Sequence, residues 1–196
     1  MKKNSLIKKL ILKNRSCRRF YGKEKISLKT LKELIELARL SASSANLQPL
    51  KYIISSSQED NQIIFPCLKW AGYLKDWGGP GAGEMPSGYV VVLGDTNISK
   101  AFGYDAGIAA QSILLGAVEK GLGGCIIASV ERERLRASLK IAGNLEILFV
   151  IALGKPGEKA VIEPVGADGS IKYWRDKKGI HHVPKRALKD IVLNTT

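Results

Sequence analysis

A chain of 196 residues with 45% hydrophobic content can bury a continuous core, which excludes a disordered tail and fits one domain over 1–196. Its 31 basic and 18 acidic side chains leave a formal charge of +13, yet the cations are spread along the whole length and read first as a basic, solvated surface open to an anionic partner. No stretch approaches the roughly 18 apolar residues of a membrane span, and Lys8 and Lys9 hold the early apolar run below secretion-signal length.

In chain order, SLIKKLILK (5–13) places Leu6, Ile7, Leu10 and Ile11 on one helical stripe with lysines opposite, the pattern of a packing or subunit-contact helix. Ser27 is the expected N-cap of LKTLKELIELARL, with Ile26 and Leu31 at hydrophobic-staple positions and Leu31, Leu34, Ile35 and Ala38 as the buried face. SSANLQP (43–49) follows, and then KYIIS, a strand. Local bonding by Ser and Asn, with Pro49 unable to continue a helix, explains a turn there. Ser43, Ser44, Asn46 and Gln48 still carry more donors and acceptors than a turn needs, as a loop shaped around a polar small molecule would.

Residues 58–76 have helical patterning interrupted at Pro66. WGGPGAGEMPSG (77–88) is glycine-rich but lacks the Lys-Ser or Lys-Thr pair of a phosphate loop, so it is expected to be a mobile rim over a pocket. YVVVLG (89–94) is a continuous apolar run suited to a strand covered on both faces. Over 105–120, Ala106, Ala109, Ala110, Ile113, Leu114, Ala117 and Val118 cover more than one stripe. That predicts a central helix packed on several sides, with Gly107, Ala110 and Gly116 permitting close approach of another backbone. Gly121, Gly123 and Gly124 end it and feed the strand CIIAS. ERERLRASL reads as a short exposed helix and EILFVIALGKP as a strand closed by Gly154 and Pro156. Beyond it the patterning weakens, with a strand expected at IKYW, exposed histidines at His181 and His182, and a terminal helix at RALKDIVL.

Helices first, then strands alternating with helices, predict an α/β or α+β layer structure. Cys17, Cys67 and Cys125 form no CxxC pair and have no histidine at metal spacing, so they are expected to be reduced and buried in a cytoplasmic protein without a metal. No GxGxxG after a first strand, HExxH, GxSxG or Walker sequence is present.

Three stretches, in this order, resemble the nitroreductase-like FMN oxidoreductases. RSCRRF (15–20) resembles that family's amino-terminal Arg-Ser-x-Arg-x-Phe signature, and SSANLQP its Ser-x-x-Asn-x-Gln-Pro loop. The run from Asp105 through Gly107, Ala110 and Gln111 to Gly121, Leu122 and Gly123, then Cys125 and Ile127, resembles its central helix and following strand. FVIALGKP and VPKRALKDIV are similar to its Gly-x-Pro strand and basic C-terminal segment. The chain departs from the pattern at Asn14, where a second basic residue is common, at Ala42 in place of proline, and at Ala128 in place of glycine.

The resemblance implies an α+β fold with a central, mostly antiparallel sheet flanked by helices, an interlocked homodimer, and FMN sites between subunits. Arg15, Ser16, Arg18, Lys185 and Arg186 match the positions of the phosphate clamp, and their chemistry suits a dianionic phosphate. Ser43, Ser44, Asn46 and Gln48 would border the ribityl chain and the ring's polar edge, often from the partner subunit, since an amide offers both a donor and an acceptor. A backbone N–H near Ile127 or Ala128 would face flavin N5.

The flavin rather than a protein acid-base pair would carry the chemistry, taking hydride from NADH or NADPH and reducing a small organic acceptor such as a nitroaromatic or quinone in ping-pong order. Trp70 and Trp77, with the glycine-rich loop, are expected to govern acceptor access. A flavin store or sensor without turnover is the rival reading. A nucleic-acid-binding module is another, but Phe65, Trp70, Tyr73 and Trp77 are interleaved with only Lys69 and Lys75, so neither nucleic acid nor membrane is expected as a partner.

Overall fold

The computed structural model describes residues 5–193. Its centre is a sheet whose inner strands are the two most apolar segments of the chain. Strands β1 (Leu50–Ser55), β2 (Gly88–Asp95), β3 (Gly123–Ile127) and β4 (Leu145–Gly154) pair in the order β1-β2-β4-β3, antiparallel throughout. β2 is buried from Gly88 to Gly94 because both of its faces are covered. Alternation sends Val90 and Val92 to one core, and Tyr89, Val91 and Leu93 to the other.

The same alternation in β4 is reset by a bulge. Val92 pairs with Phe149 and Leu93 with Ile147, so Leu148 is the extra residue, and Ile147 lies on the same face as Val150 and Ala152 despite the odd spacing. The carbonyls freed there are satisfied by Arg132, which donates to Ile147 O at 2.9 Å and Leu148 O at 3.2 Å.

Among the described residues five helices flank the sheet: α1 (Leu6–Lys13), α2 (Leu28–Arg39), α3 (Gln58–Ile64), α4 (Gly103–Glu119) and α5 (Arg132–Leu139). α2 and α4 supply Leu31, Leu34, Ala38, Ala109, Ala110, Ile113, Leu114 and Ala117 to the first core. Ile64 of α3 and Leu135 of α5 lie in the second. Each such leucine or isoleucine withdraws apolar surface worth about 1.5–3 kcal/mol. Ser27 caps α2 as the sequence predicts, its Oγ accepting the Thr30 amide at 3.0 Å. α2 crosses α4 at Gly116, where an added Cβ would collide with Leu37 of α2. α1 buries none of its residues and leaves Leu6, Ile7, Ile11 and Leu12 exposed.

A second sheet, β5 (Ala160–Pro164), β6 (Trp174–Arg175) and β7 (His181–Lys185), has the order β5-β7-β6 with β5 parallel to β7. The sequence reading anticipates only its short middle piece, and there only Trp174 of IKYW is in a strand. Pro184 sits in β7 beyond the two residues that β6 pairs, so its missing N–H breaks no ladder on that side.

Three expectations are corrected. The helical reading of 58–76 ends with a 3₁₀ turn at Phe65–Cys67, because Pro66 removes an amide and Leu68 turns extended to bridge Val130. RALKDIVL forms only one 3₁₀ turn, Leu188–Asp190, and its apolar residues stay exposed with no face to pack on. His181 is buried, 1% exposed, and His182 is half-buried against Trp174 with ring centroids 4.0 Å apart, so neither is a free surface histidine. The three cysteines are free and buried.

Candidate functional site

The segment Arg15–Phe20 lies along the open edge of β3. Ser16 bridges Gly124, the Cys17 amide donates to Gly124 O at 3.0 Å, and the buried Phe20 bridges Pro156. This contact depends on Gly154, where an added Cβ would sit 2.6 Å from the Phe20 ring. Glu158 fixes the segment from below, its Oε1 accepting the amides of Arg18 at 2.6 Å and Arg19 at 3.2 Å, while its Oε2 pairs with Arg175 at 2.7 Å.

Arg15, Ser16, Arg18 and Lys185 thereby line one cleft of about 290 Å³, together with Asn14, Gln111, Leu114, Gly124, Ile126, Tyr173, His181 and Val183. Arg186 is exposed and does not line it. Burial lowers the pKa of Arg15, and its Nε is buried without a partner. Arg18 lies over the Tyr173 ring, 4.7 Å from its centroid. Asn14 reaches Gln111 at 3.4 Å. Three cations, one of them with an unpaired guanidinium nitrogen, and a serine hydroxyl around one cleft form a donor set fitted to a phosphate. Tyr173, Ile126 and His181 are among the lining residues not expected at the site from sequence. The first and last sit in weakly patterned sequence, and Ile126 follows only from β3 alternation.

The SSANLQP loop lies elsewhere. Ser43 Oγ donates to Asp105 Oδ2 at 2.6 Å and accepts the Gln48 amide at 2.8 Å, and the Ser44 amide donates to Asp105 Oδ1 at 2.8 Å. Asp105, buried at the start of α4, thus anchors the loop. Ala45, Asn46 and Gln48 all have left-handed backbones, with φ of 47°, 54° and 52°. Such conformations cost roughly 1–3 kcal/mol each and persist only where the surroundings impose them. Asn46 and Gln48 are exposed and bond chiefly to each other.

Ser43 and Gln48 line a second cleft of about 420 Å³ between α2, β1 and α4. Asp105 and Ala109 of α4 line this cleft, whereas Gln111 and Leu114 line the first. At about 100° per residue those pairs point to nearly opposite sides of the helix, so one chain does not bring the loop and the arginines together.

Ile127 is buried at the end of β3. Ala128 is exposed beyond it, its carbonyl accepting the Val130 amide at 3.0 Å and Arg132 at 3.2 Å. Trp77 is flanked by Arg175 and Arg19, 4.8 and 5.7 Å from its ring centroid, and Trp70 packs on Phe65 at 5.9 Å. Neither lines the clefts described above. An aromatic path does reach the first cleft: Tyr73 contacts Tyr173 at 4.9 Å, and Tyr173 contacts His181 at 5.1 Å. The glycine-rich loop is tied down at Gly83 and Glu84, which accept the amides of Gly22 and Phe20, and it rims a further cleft of about 390 Å³ near Phe65 and Tyr89. Among the described residues there is no helix long and apolar enough to cross a membrane, and no metal-ligand cluster.

Comparison with known proteins places these features in context. The Nitroreductase family profile matches residues 11–73 and 86–155. A protein of Archaeoglobus fulgidus that carries the provisional name NADH dehydrogenase/NAD(P)H nitroreductase is 28% identical over 160 residues, covering 77% of this chain and 86% of its own. A structure of the same provisional name from Parabacteroides distasonis superposes with a TM-score of 0.63 at 26% identity, covering 77% of this chain and 87% of that one. An FMN-dependent nitroreductase of Clostridium difficile has a TM-score of 0.64 at 24% identity over 76% and 87% of the two chains, a likeness of fold. The same holds for an NADPH:FMN oxidoreductase of Vibrio harveyi solved with NAD+, at TM-score 0.63 and 23% identity over 82% and 73%.

Proposed function

The chain belongs to the nitroreductase family, and on that premise we propose that it is an FMN-dependent oxidoreductase using NADH or NADPH to reduce a small organic acceptor. The observation that carries this reading is the gathering of Arg15, Ser16, Arg18 and Lys185 around one cleft, with the Arg15 Nε buried and unpaired. The names of the relatives agree with it: one is an FMN-dependent nitroreductase and another an NADPH:FMN oxidoreductase.

Arg15, Arg18 and Lys185 would hold the phosphate of FMN, with the Ser16 hydroxyl as a further donor. Arg186, exposed outside the cleft, would act on that phosphate only through its longer-range charge. Ser43 and Ser44 shape the loop through Asp105, leaving Asn46 and Gln48 to meet the ribityl chain and ring edge. The end of β3, where the chain passes from buried Ile127 to exposed Ala128, would present a backbone N–H to the ring.

A cleft of about 290 Å³ is at the small end of ligand sites. In our reading it is half of a site that a homodimer completes, the second half being the loop that faces the other side of α4. The exposed apolar stripe of α1 supports such a contact. Bound FMN would supply the redox chemistry, accepting hydride from the nicotinamide and passing it to a nitroaromatic or quinone that takes the same place afterwards. The residues named here position the groups, and none is required as an acid or base. Trp70 and Trp77 would shape acceptor access.

The test is a pair of anaerobic half-reactions on flavin-loaded protein. NADH or NADPH should bleach the visible flavin band, and a nitroaromatic or quinone added afterwards should restore it at a rate that supports turnover. A band that nicotinamides do not bleach favours a flavin store without turnover.

A further inference from the structure

Arg18 has an acidic neighbour that does not neutralise it. The Glu158 side chain, 3% exposed, is consumed by the backbone amides of Arg18 and Arg19 and by Arg175. The Arg18 guanidinium instead meets His181 Nε2 at 3.3 Å and lies over Tyr173. Among the described residues no carboxylate forms an ion pair with it. A guanidinium carries only donors, so Nε2 must present its lone pair and the ring proton must sit on Nδ1. That nitrogen is buried and has no partner. An unpaired buried donor is destabilising, and an apolar ring in the same place would avoid it.

Resting on the phosphate reading of this cleft, we propose that neutral His181 is a positioning residue, aiming Arg18 at the bound anion without cancelling its charge. A carboxylate in the same place would orient the guanidinium equally well but would spend its charge. Protonation of His181 would remove the lone pair and set a second cation against the first. The groups facing the ring are Arg18 on the amino-terminal segment, Glu158 on the β4–β5 connection, Arg175 on β6, and His182 beside it on β7, with the Tyr173 ring alongside. Burial first, then the Arg18 charge, push its pKa below the ordinary 6.5, against an opposing pull from Glu158. At neutral pH the ring is therefore the uncharged acceptor the geometry requires.

The test is titration of the flavin-free full chain with FMN and with riboflavin, followed by flavin fluorescence from about pH 5.5 to 8. The phosphate's own second ionisation near pH 6 weakens FMN binding in any protein. The comparison is therefore with His181→Gln, whose amide oxygen accepts but does not titrate. The two proteins should bind FMN alike wherever the His181 ring is neutral, and wild type should fall below His181→Gln only as the ring gains its proton. Riboflavin affinity should be the same for both. His181→Phe, which fills the space without an acceptor, should lose about tenfold in FMN affinity and nothing toward riboflavin.

Undiminished FMN affinity in His181→Phe, with His181→Gln like wild type at the alkaline end, overturns the proposal. If His181→Phe does not fold, His181→Leu, which also lacks an acceptor, makes the same comparison. A wild-type chain that binds neither flavin overturns the cofactor reading, and this proposal with it, in a way the other outcomes do not mimic.

Discussion

The Ser43 hydroxyl donates to the buried Asp105 carboxylate at 2.6 Å, joining the end of one core helix to the start of another across 62 positions of sequence. Because the Ser44 amide takes the second oxygen of Asp105, the carboxylate sets the conformation of the whole loop, including its left-handed residues. Asp105→Ala should destabilise the chain by about 1–3 kcal/mol in urea unfolding, since it strands a hydroxyl and an amide. Asp105→Asn, which keeps one acceptor, should fall between. The same substitutions should weaken FMN binding, because Asn46 and Gln48 are then no longer held in strained, exposed positions.

The phosphate clamp makes a graded prediction. Arg18→Ala and Lys185→Ala should each weaken FMN by about tenfold or more, as loss of a charge-assisted contact does. Arg186→Ala should change it by less than about threefold, as an exposed charge outside the cleft. Riboflavin binding should be indifferent to all three. Isothermal titration with both flavins checks the order, and equal losses for Arg186 and Arg18 would contradict the assignment.

His182 makes a pH-dependent latch on the second sheet. Its Nδ1 lies 2.8 Å from Glu163, which also accepts from Trp174 Nε1 at 2.9 Å. The hydrogen bond that the His182 ring donates to Glu163 raises the His182 pKa above 6.5, so its contribution is complete below that value and is lost as pH rises through the folded pKa. Glu163 is held below 4.5 by His182 and Trp174, so its contribution is present above 4.5 and fades as pH falls through its own folded value. The fall in Tm caused by Glu163→Gln should therefore be greatest near about pH 5–6 and shrink toward about pH 8. His181 titrates in both proteins and cancels from the difference.

Acceptor access gives a fourth prediction. Trp77 is pinned between two guanidinium groups and Trp70 packs on Phe65, so neither is needed to hold phosphate. Trp70→Ala and Trp77→Ala should shift the ratio of kcat/KM between a nitroaromatic and a quinone several-fold while leaving FMN affinity close to wild type. An unchanged ratio for both would place the acceptor nearer Tyr73 and Tyr173.

What the sequence makes legible follows from how much of a feature is local. Ser27 as a cap, the two-faced apolar runs of β2 and β4, and the small-residue helix α4 depend on neighbours along the chain and are correctly placed. Outside the piece at Trp174, the second sheet is missed because β5 and β7 are short, each contains a proline, and their parallel pairing is long-range. His181 reads as a surface residue since tandem polar histidines carry no burial signal, and only the fold sets Arg18 and Tyr173 against it. The surplus polarity of SSANLQP points to a site, yet that Ser43 is committed to Asp105 appears only when α4 is in place.

The most direct measurement is the visible absorption spectrum of the purified chain after incubation with FMN and removal of the excess, with the released chromophore identified and counted. About one FMN per chain is expected, with a spectrum that NADH or NADPH bleaches. A folded protein that remains colourless would overturn the FMN assignment and leave the cluster of Arg15, Arg18 and Lys185 to some other anion.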